Sequence, residues 1–121
     1  MPKILVVDDS PDLLNVLSWI LQKNGFQCIT TYYREGMFSQ LEKFIPAMIF
    51  LDIKLGDDDG RTICKLFKSN PQTKDIPVIL CSGDHSLLEN FESYHADACL
   101  KKPFDTSTIL RTIEGIVQKG G

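Results

Sequence analysis

The chain has 121 residues, 43% of them apolar and 24% charged, with a formal net charge of -3. This suits one compact domain over residues 1–121 and leaves no room for a second. Every apolar run is short, Asp8 and Asp9 interrupt the first where a secretory leader would continue, and Lys101-Lys102 is the only basic cluster, so the expectations are a cytoplasmic location, no membrane association and no direct nucleic-acid binding.

Short apolar runs alternate five times with longer segments of helical period, the pattern of an α/β protein. The first run, Lys3-Ile4-Leu5-Val6-Val7, is apolar and β-branched beyond its lysine, which predicts a parallel strand covered on both faces and central in the sheet. Ser10-Pro11 then opens a helix, a capping hydroxyl followed by proline at the first helical position. Leu13, Leu14, Leu17, Ile20 and Leu21 mark its inward stripe, and Asn24-Gly25 ends it. The more mixed Cys28-Ile29-Thr30-Thr31 predicts an edge strand.

A second helix is expected over about residues 34–44, with Met37, Phe38, Leu41 and Phe44 at helical spacing and Pro46 as its limit. Ala47-Met48-Ile49-Phe50-Leu51 reads as the third strand, and a third helix after Gly60 turns Ile63, Leu66 and Phe67 inward. Val78-Ile79-Leu80-Cys81 is the fourth strand, followed by a weaker fourth helix over about residues 86–94 with Leu87, Leu88 and Phe91. A fifth strand covers about residues 98–100, and the last helix, capped by Asp105, buries Ile109, Ile113 and Ile116. Right-handed crossovers then give a doubly wound, five-stranded parallel sheet with helices on both faces. The cysteines Cys28, Cys64, Cys81 and Cys99 show no metal-binding spacing and read as reduced, packed thiols.

In such a sheet, sites form in the crevice beyond the carboxyl ends of the strands. Strand 1 ends in Asp8-Asp9, strand 3 in Asp52, strand 4 in Ser82 and strand 5 in Lys101-Lys102-Pro103. A lone Asp after a strand is ordinarily a turn former or helix cap. Three carboxylates, a hydroxyl and an ammonium from four strands at one rim point instead to chemistry. Like charges held close raise one another's pKa, so the cluster calls for a cation. Magnesium suits it: a hard ion taking carboxylates, a backbone carbonyl and waters, with a position left for a phosphate oxygen. Asp52 can then attack phosphorus and form an acyl phosphate, with Lys102 and the metal spreading the negative charge and Ser82 donating a hydrogen bond. Because the lysine must turn back toward Asp52, the Lys102-Pro103 bond is expected to be cis.

This set resembles the receiver domains of response regulators in bacterial two-component systems. The matching residues are Val6-Val7-Asp8-Asp9-Ser10, Leu51-Asp52 with Asp59-Gly60 downstream, Ile76-Pro77-Val78-Ile79 leading to Ser82, and Lys102-Pro103-Phe104, in order over essentially the whole chain. The resemblance implies a flavodoxin-like (βα)5 fold with strand order 2-1-3-4-5. It implies Mg2+ on Asp8, Asp9, Asp52 and the backbone carbonyl of Lys54, with Asp52 as phosphoacceptor, Ser82 as switch hydroxyl and Lys102 as the family's lysine; Lys101 is a solvated neighbour. It also implies a histidine kinase or histidine phosphotransfer protein as donor, self-catalysed phosphorylation and dephosphorylation, a downstream protein target, and a monomer or weak dimer. The Met1-Pro2-Lys3 start reads as a genuine amino terminus, and no output segment follows Val117-Gln118-Lys119-Gly120-Gly121, which fits a stand-alone receiver or one excised from a larger regulator.

Two departures from the family pattern carry expectations of their own. Leu55-Gly56 stands where Met-Pro is common, before the acidic Asp57-Asp58-Asp59, and Gly56 is expected to loosen that loop. Cys99 stands three residues before Lys102, where the family usually has a Tyr or Phe that swings with the switch hydroxyl. Phosphorylation is therefore expected to act mainly through Gly83-Asp84-His85 and the start of the fourth helix. Three rivals remain beside this reading. A flavin-type phosphate binder would need a Gly/Ser/Thr-rich loop where Asp8-Asp9 stands, and an aspartyl phosphatase would need an acid two residues after Asp52, where Lys54 stands. The third is a phosphorylation-independent interaction module of the same fold.

Overall fold

The five apolar runs become five parallel strands in the computed structural model, which describes the backbone of residues 2–120 and the side chains of residues 2–118. The strands are β1 (Lys3–Val7), β2 (Gln27–Thr31), β3 (Met48–Asp52), β4 (Val78–Ser82) and β5 (Ala98–Lys101). They lie in the order β2-β1-β3-β4-β5, so the mixed run after Gly25 is an edge and β1 is interior, as their compositions predict. Alternate residues face opposite sides. Leu5, Val7, Ile49, Leu51, Val78 and Leu80 pack under one layer, and Ile4, Val6, Met48, Phe50, Ile79 and Cys81 under the other.

Four α-helices cover the sheet: α1 (Pro11–Lys23), α2 (Arg34–Leu41), α3 (Gly60–Ser69) and α4 (Thr106–Gly120). α1 and α4 bring Leu14, Leu17, Ile20, Leu21, Ile109, Ile113 and Ile116 to one face, while α2 and α3 bring Met37, Ile63, Cys64 and Phe67 to the other. This is the doubly wound arrangement. The α1 start follows from its cap, where the Ser10 hydroxyl accepts the Leu13 N–H at 3.4 Å and Pro11 fills the first position. Gly25, at φ +91°, supplies the left-handed residue that turns the chain into β2. None of the described helices is long and apolar enough to cross a membrane.

The connections depart from expectation in four places. The expected fourth helix is two 3-10 turns, His85–Leu88 and Phe91–Tyr94, because Asn90 and His95 adopt left-handed φ of 57° and 65° and interrupt helical propagation. α2 ends at Leu41 rather than near Phe44; Pro46 disfavours helical geometry in the residue before it, and the chain is already turning at Glu42 and Lys43. Leu66 is exposed, since the buried stripe of α3 runs through Gly60, Ile63, Cys64 and Phe67 and leaves it on the flank. Gly56 does not loosen its loop. At φ +61° it turns a tight hairpin in which Lys54–Leu55 pairs antiparallel with Asp58–Asp59, with Leu55 buried beneath.

Candidate functional site

Strand register assembles the rim. Val7 pairs with Leu51, so Asp8 and Asp52 leave the sheet side by side. Asp52 pairs with Cys81, which sets Ser82 one residue further out, and Ser82 pairs with Lys101, which sets Lys102 one further again. The Lys102 N–H continues that ladder by donating to the Ser82 carbonyl at 2.9 Å. The Lys102-Pro103 bond is cis, as its sequence position predicts.

Asp8, Asp52 and Ser82 are the buried polar side chains among the described residues, at 2%, 5% and 1% exposure. The Lys102 ammonium lies between the two carboxylates, 2.6 Å from Asp8 Oδ2 and 3.2 Å from Asp52 Oδ1. The remaining Asp8 oxygen accepts the Ser10 N–H at 2.9 Å. Asp9 is exposed, and its Oδ2 accepts the Gly56 N–H at 3.1 Å, which ties the acidic hairpin to the end of β1. The Ser82 Oγ accepts the Asp84 N–H at 3.0 Å and keeps its own proton to donate. Lys54 follows Asp52 into the hairpin, with its ammonium at the surface 3.9 Å from Asp84 Oδ2.

One carboxylate oxygen from each of Asp8, Asp9 and Asp52 lies within 4.8 Å of the others. Among the described residues the Lys102 ammonium is the one cation paired with this cluster, and it reaches Asp8 and Asp52, so three acids share one positive charge with two of them buried. The consequence shows in Asp52, whose pKa rises from 3.8 to about 6, first through burial and then through the charge of Asp8, against the opposing pull of Lys102. For Lys102, burial acts to lower the pKa, but the hydrogen bond and charge of Asp8 together with Asp52 outweigh it and the lysine stays firmly cationic. Hard oxygen donors, crowded charge and an exposed third carboxylate are what a hexacoordinate divalent ion requires, so the donor set fits Mg2+.

Several contacts of the site run through backbone groups, which a pattern of side chains does not mark. Asp8 N–H donates to the Thr31 carbonyl at 3.1 Å, bringing the end of β2 into the site. Gly60 N–H donates to the Ile53 carbonyl at 2.7 Å, and its α-carbon lies so close to Asp52 that a β-carbon there would overlap the Asp52 backbone oxygen. His85 bonds to the Lys102 carbonyl at 3.0 Å. The sequence marks His85 only as part of the loop after β4 through which phosphorylation is expected to act, and not as a partner of Lys102. The four cysteines are free thiols raised by burial, Cys64 to about 11, so none is poised as a nucleophile. Cys99 is half-buried beside an open cleft lined by His85, Leu88, Phe91 and Lys101.

Comparison with known proteins adds independent information. The family model for the response regulator receiver domain matches residues 4–114. Protein PilG of Pseudomonas aeruginosa is 30% identical over 117 residues, which cover 95% of this chain and 87% of PilG. The DNA-binding dual master transcriptional regulator RpaA of Synechocystis is 28% identical over 98% of this chain but only 50% of its own length. Against RpaA and the phosphate regulon regulator PhoB of Klebsiella pneumoniae, the chain spans about half the relative. Among solved structures, the signal receiver domain of a signal transduction histidine kinase from Syntrophus aciditrophicus superimposes with a TM-score of 0.87 at 25% identity, covering 98% of this chain and 92% of that one. The chemotaxis response regulator CheY4 of Vibrio cholerae shares the fold, with a TM-score of 0.84 at 24% identity over 96% of this chain and 98% of its own.

Proposed function

Because this chain belongs to the response regulator receiver domain family, we propose that it accepts a phosphoryl group on Asp52 from a phosphohistidine in a histidine kinase or histidine phosphotransfer protein, with Asp8, Asp9, Asp52 and the Lys54 carbonyl holding Mg2+. In this reading residues 1–121 act as one receiver unit in the cytoplasm, and the phosphorylated surface engages a downstream protein. The observation that carries it is the buried Asp52 carboxylate flanked by Asp8, Asp9 and Lys102 with their oxygens within one ion's reach.

A carboxylate oxygen of Asp52 forms the new bond to phosphorus as the P–N bond to the donor histidine breaks, and the donor imidazole takes a proton from solvent. Bound Mg2+ supplies charge neutralisation for the phosphoryl oxygens. Lys102, already 3.2 Å from Asp52 Oδ1, exchanges that contact for one to a phosphoryl oxygen. Ser82 donates its free hydroxyl proton to another, its lone pair held by the Asp84 N–H. Burial of Asp52 restricts water at the resulting acyl phosphate.

The test is intact-mass measurement with a small acyl phosphate as donor. The chain should gain one phosphoryl group with Mg2+ and none with a chelator present. Asp9→Ala should raise the Mg2+ concentration needed by about tenfold or more, since a charged ligand is lost. Lys102→Ala should leave that concentration near its wild-type value and slow phosphorylation by roughly a hundredfold, the scale for removing one preorganised charge partner. Full-rate phosphorylation without divalent metal, or wild-type behaviour in both variants, refutes the assignment.

A further inference from the structure

Lys102 must do two jobs with a long, flexible side chain: neutralise Asp8 and Asp52 before transfer, and follow the phosphoryl oxygens afterwards. A flexible four-carbon stem separates its backbone from the ammonium, so the accuracy of the ammonium depends on how firmly the stem is planted. The backbone N–H is planted by the Ser82 carbonyl at 2.9 Å. That bond holds the peptide plane before Lys102 and not the one after it, which carries the Lys102 carbonyl.

The His85 ring supplies a second anchor, with Nε2 3.0 Å from the Lys102 carbonyl oxygen. A carbonyl only accepts, so the ring carries its proton on Nε2. His85 begins the 3-10 turn after β4, and that turn is itself fastened: Asp84 Oδ1 accepts the Ser86 N–H at 3.2 Å and the Ser86 hydroxyl at 2.6 Å, while the Asp84 N–H donates to the Ser82 hydroxyl at 3.0 Å. The segment that holds the Ser82 hydroxyl therefore also grips the base of the Lys102 side chain. The ring is at the surface and touches neither carboxylate in any hydrogen bond or ion pair.

We infer that His85 is a positioning residue for phosphoryl transfer, fixing the Lys102 backbone through its Nε2–H so that the ammonium meets the phosphoryl oxygens on Asp52. The inference rests on the function proposed above and goes beyond it, since His85 acts only through Lys102. A turn-forming role alone would ask only for local stability. The positioning role asks for a donor at the distance of Nε2, which glutamine reproduces and asparagine does not.

The experiment measures phosphorylation of the full chain by a small acyl phosphate, with His85→Ala, His85→Gln and His85→Asn, each also assayed for thermal midpoint. His85→Ala and His85→Asn should lower the maximal rate at saturating Mg2+ about fivefold, the scale of one solvent-accessible hydrogen bond, with the half-saturating Mg2+ concentration unchanged. His85→Gln should stay within about twofold of wild type. In a Lys102→Ala background, His85→Ala should add no further loss, because the group it positions is gone. A wild-type maximal rate in His85→Ala, a glutamine variant no better than alanine, or a loss that adds in full to Lys102→Ala each overturns the positioning role. A wild-type chain that takes no phosphoryl group on Asp52 overturns the underlying function, an outcome read from the wild type alone.

Discussion

Asp52→Asn should accept no phosphoryl group under conditions in which the wild type gains one, and in metal-free buffer near neutral pH it should be the more stable protein. The first effect follows from chemistry, since an amide oxygen in place of the carboxylate is a poor nucleophile and a weak magnesium ligand. The second follows from electrostatics. The folded Asp52 carboxyl holds its proton up to about 6, whereas an ordinary aspartate releases it at 3.8. Its contribution therefore favours the fold fully below the unfolded value and is lost as pH rises through about 6. At neutral pH the ionised group costs the metal-free fold at most roughly 3 kcal/mol, and asparagine removes that charge while keeping an acceptor oxygen for Lys102. Urea unfolding should show Asp52→Asn more stable by roughly 1–3 kcal/mol near pH 7.5, with the gap closing toward pH 4. Added Mg2+ should stabilise the wild type more than the variant, since it binds only a folded set of carboxylates. At subsaturating Mg2+ the wild-type phosphorylation rate should also fall as pH drops below about 6, because a proton on Asp52 then competes with the metal. Magnesium-dependent phosphorylation of the asparagine variant would rule Asp52 out as acceptor, and a gap that widens on acidification would rule out the electrostatic account.

The parts of this molecule that the sequence announces are those in which a side chain and its position carry the same message. β1, β3 and β4 lie in the interior of the sheet, so each reads as an unbroken apolar run, and the first polar residue after each run marks the strand's carboxyl end. Asp8, Asp52 and Ser82 occupy those places, so the rim is legible without the strand register. The Ser10-Pro11 cap is local chemistry and is equally legible. Where geometry depends on backbone torsion or on a tertiary contact, the pattern is silent. Leu87, Leu88 and Phe91 have helical spacing, yet the left-handed turn at Asn90 divides their segment into two 3-10 turns. Gly56 reads as a flexible residue but makes a tight hairpin and hands its N–H to Asp9. His85 meets Lys102 across two strands through a main-chain carbonyl, a partner that any residue at that position would offer.

Gly60→Ala should damage the protein more than Gly83→Ala or Gly115→Ala, and should damage the site first. Gly60 opens α3 directly against the end of β3. A β-carbon there would overlap the Asp52 backbone oxygen and sit 2.9 Å from Ile53 Cα and 3.0 Å from the Asp52 carbonyl carbon. These are main-chain atoms at the end of a central strand and in the residue just after it, so no side chain can rotate away; either α3 lifts from the sheet or the Asp52 backbone is displaced. The first route breaks the 2.7 Å hydrogen bond from Gly60 N–H to the Ile53 carbonyl and loosens Ile63, Cys64 and Phe67, at a cost of about 1–3 kcal/mol for overpacking a close contact. The second moves the nucleophile relative to Asp8 and Lys102, and a displacement of about 1 Å is enough to slow a positioned reaction by roughly a hundredfold. Gly115→Ala is the contrast: a β-carbon there has no neighbour within 4 Å, and alanine in place of glycine inside α4 should stabilise by about 0.5–1 kcal/mol with phosphorylation unchanged. Gly83→Ala, whose nearest neighbour would be the Lys102 β-carbon at an ordinary 4.0 Å, should lie close to wild type. Thermal unfolding and phosphorylation by a small acyl phosphate rank the three variants. If Gly60→Ala matched Gly83→Ala in both measurements, the close approach of α3 to Asp52 would not be what sets the geometry of the acceptor.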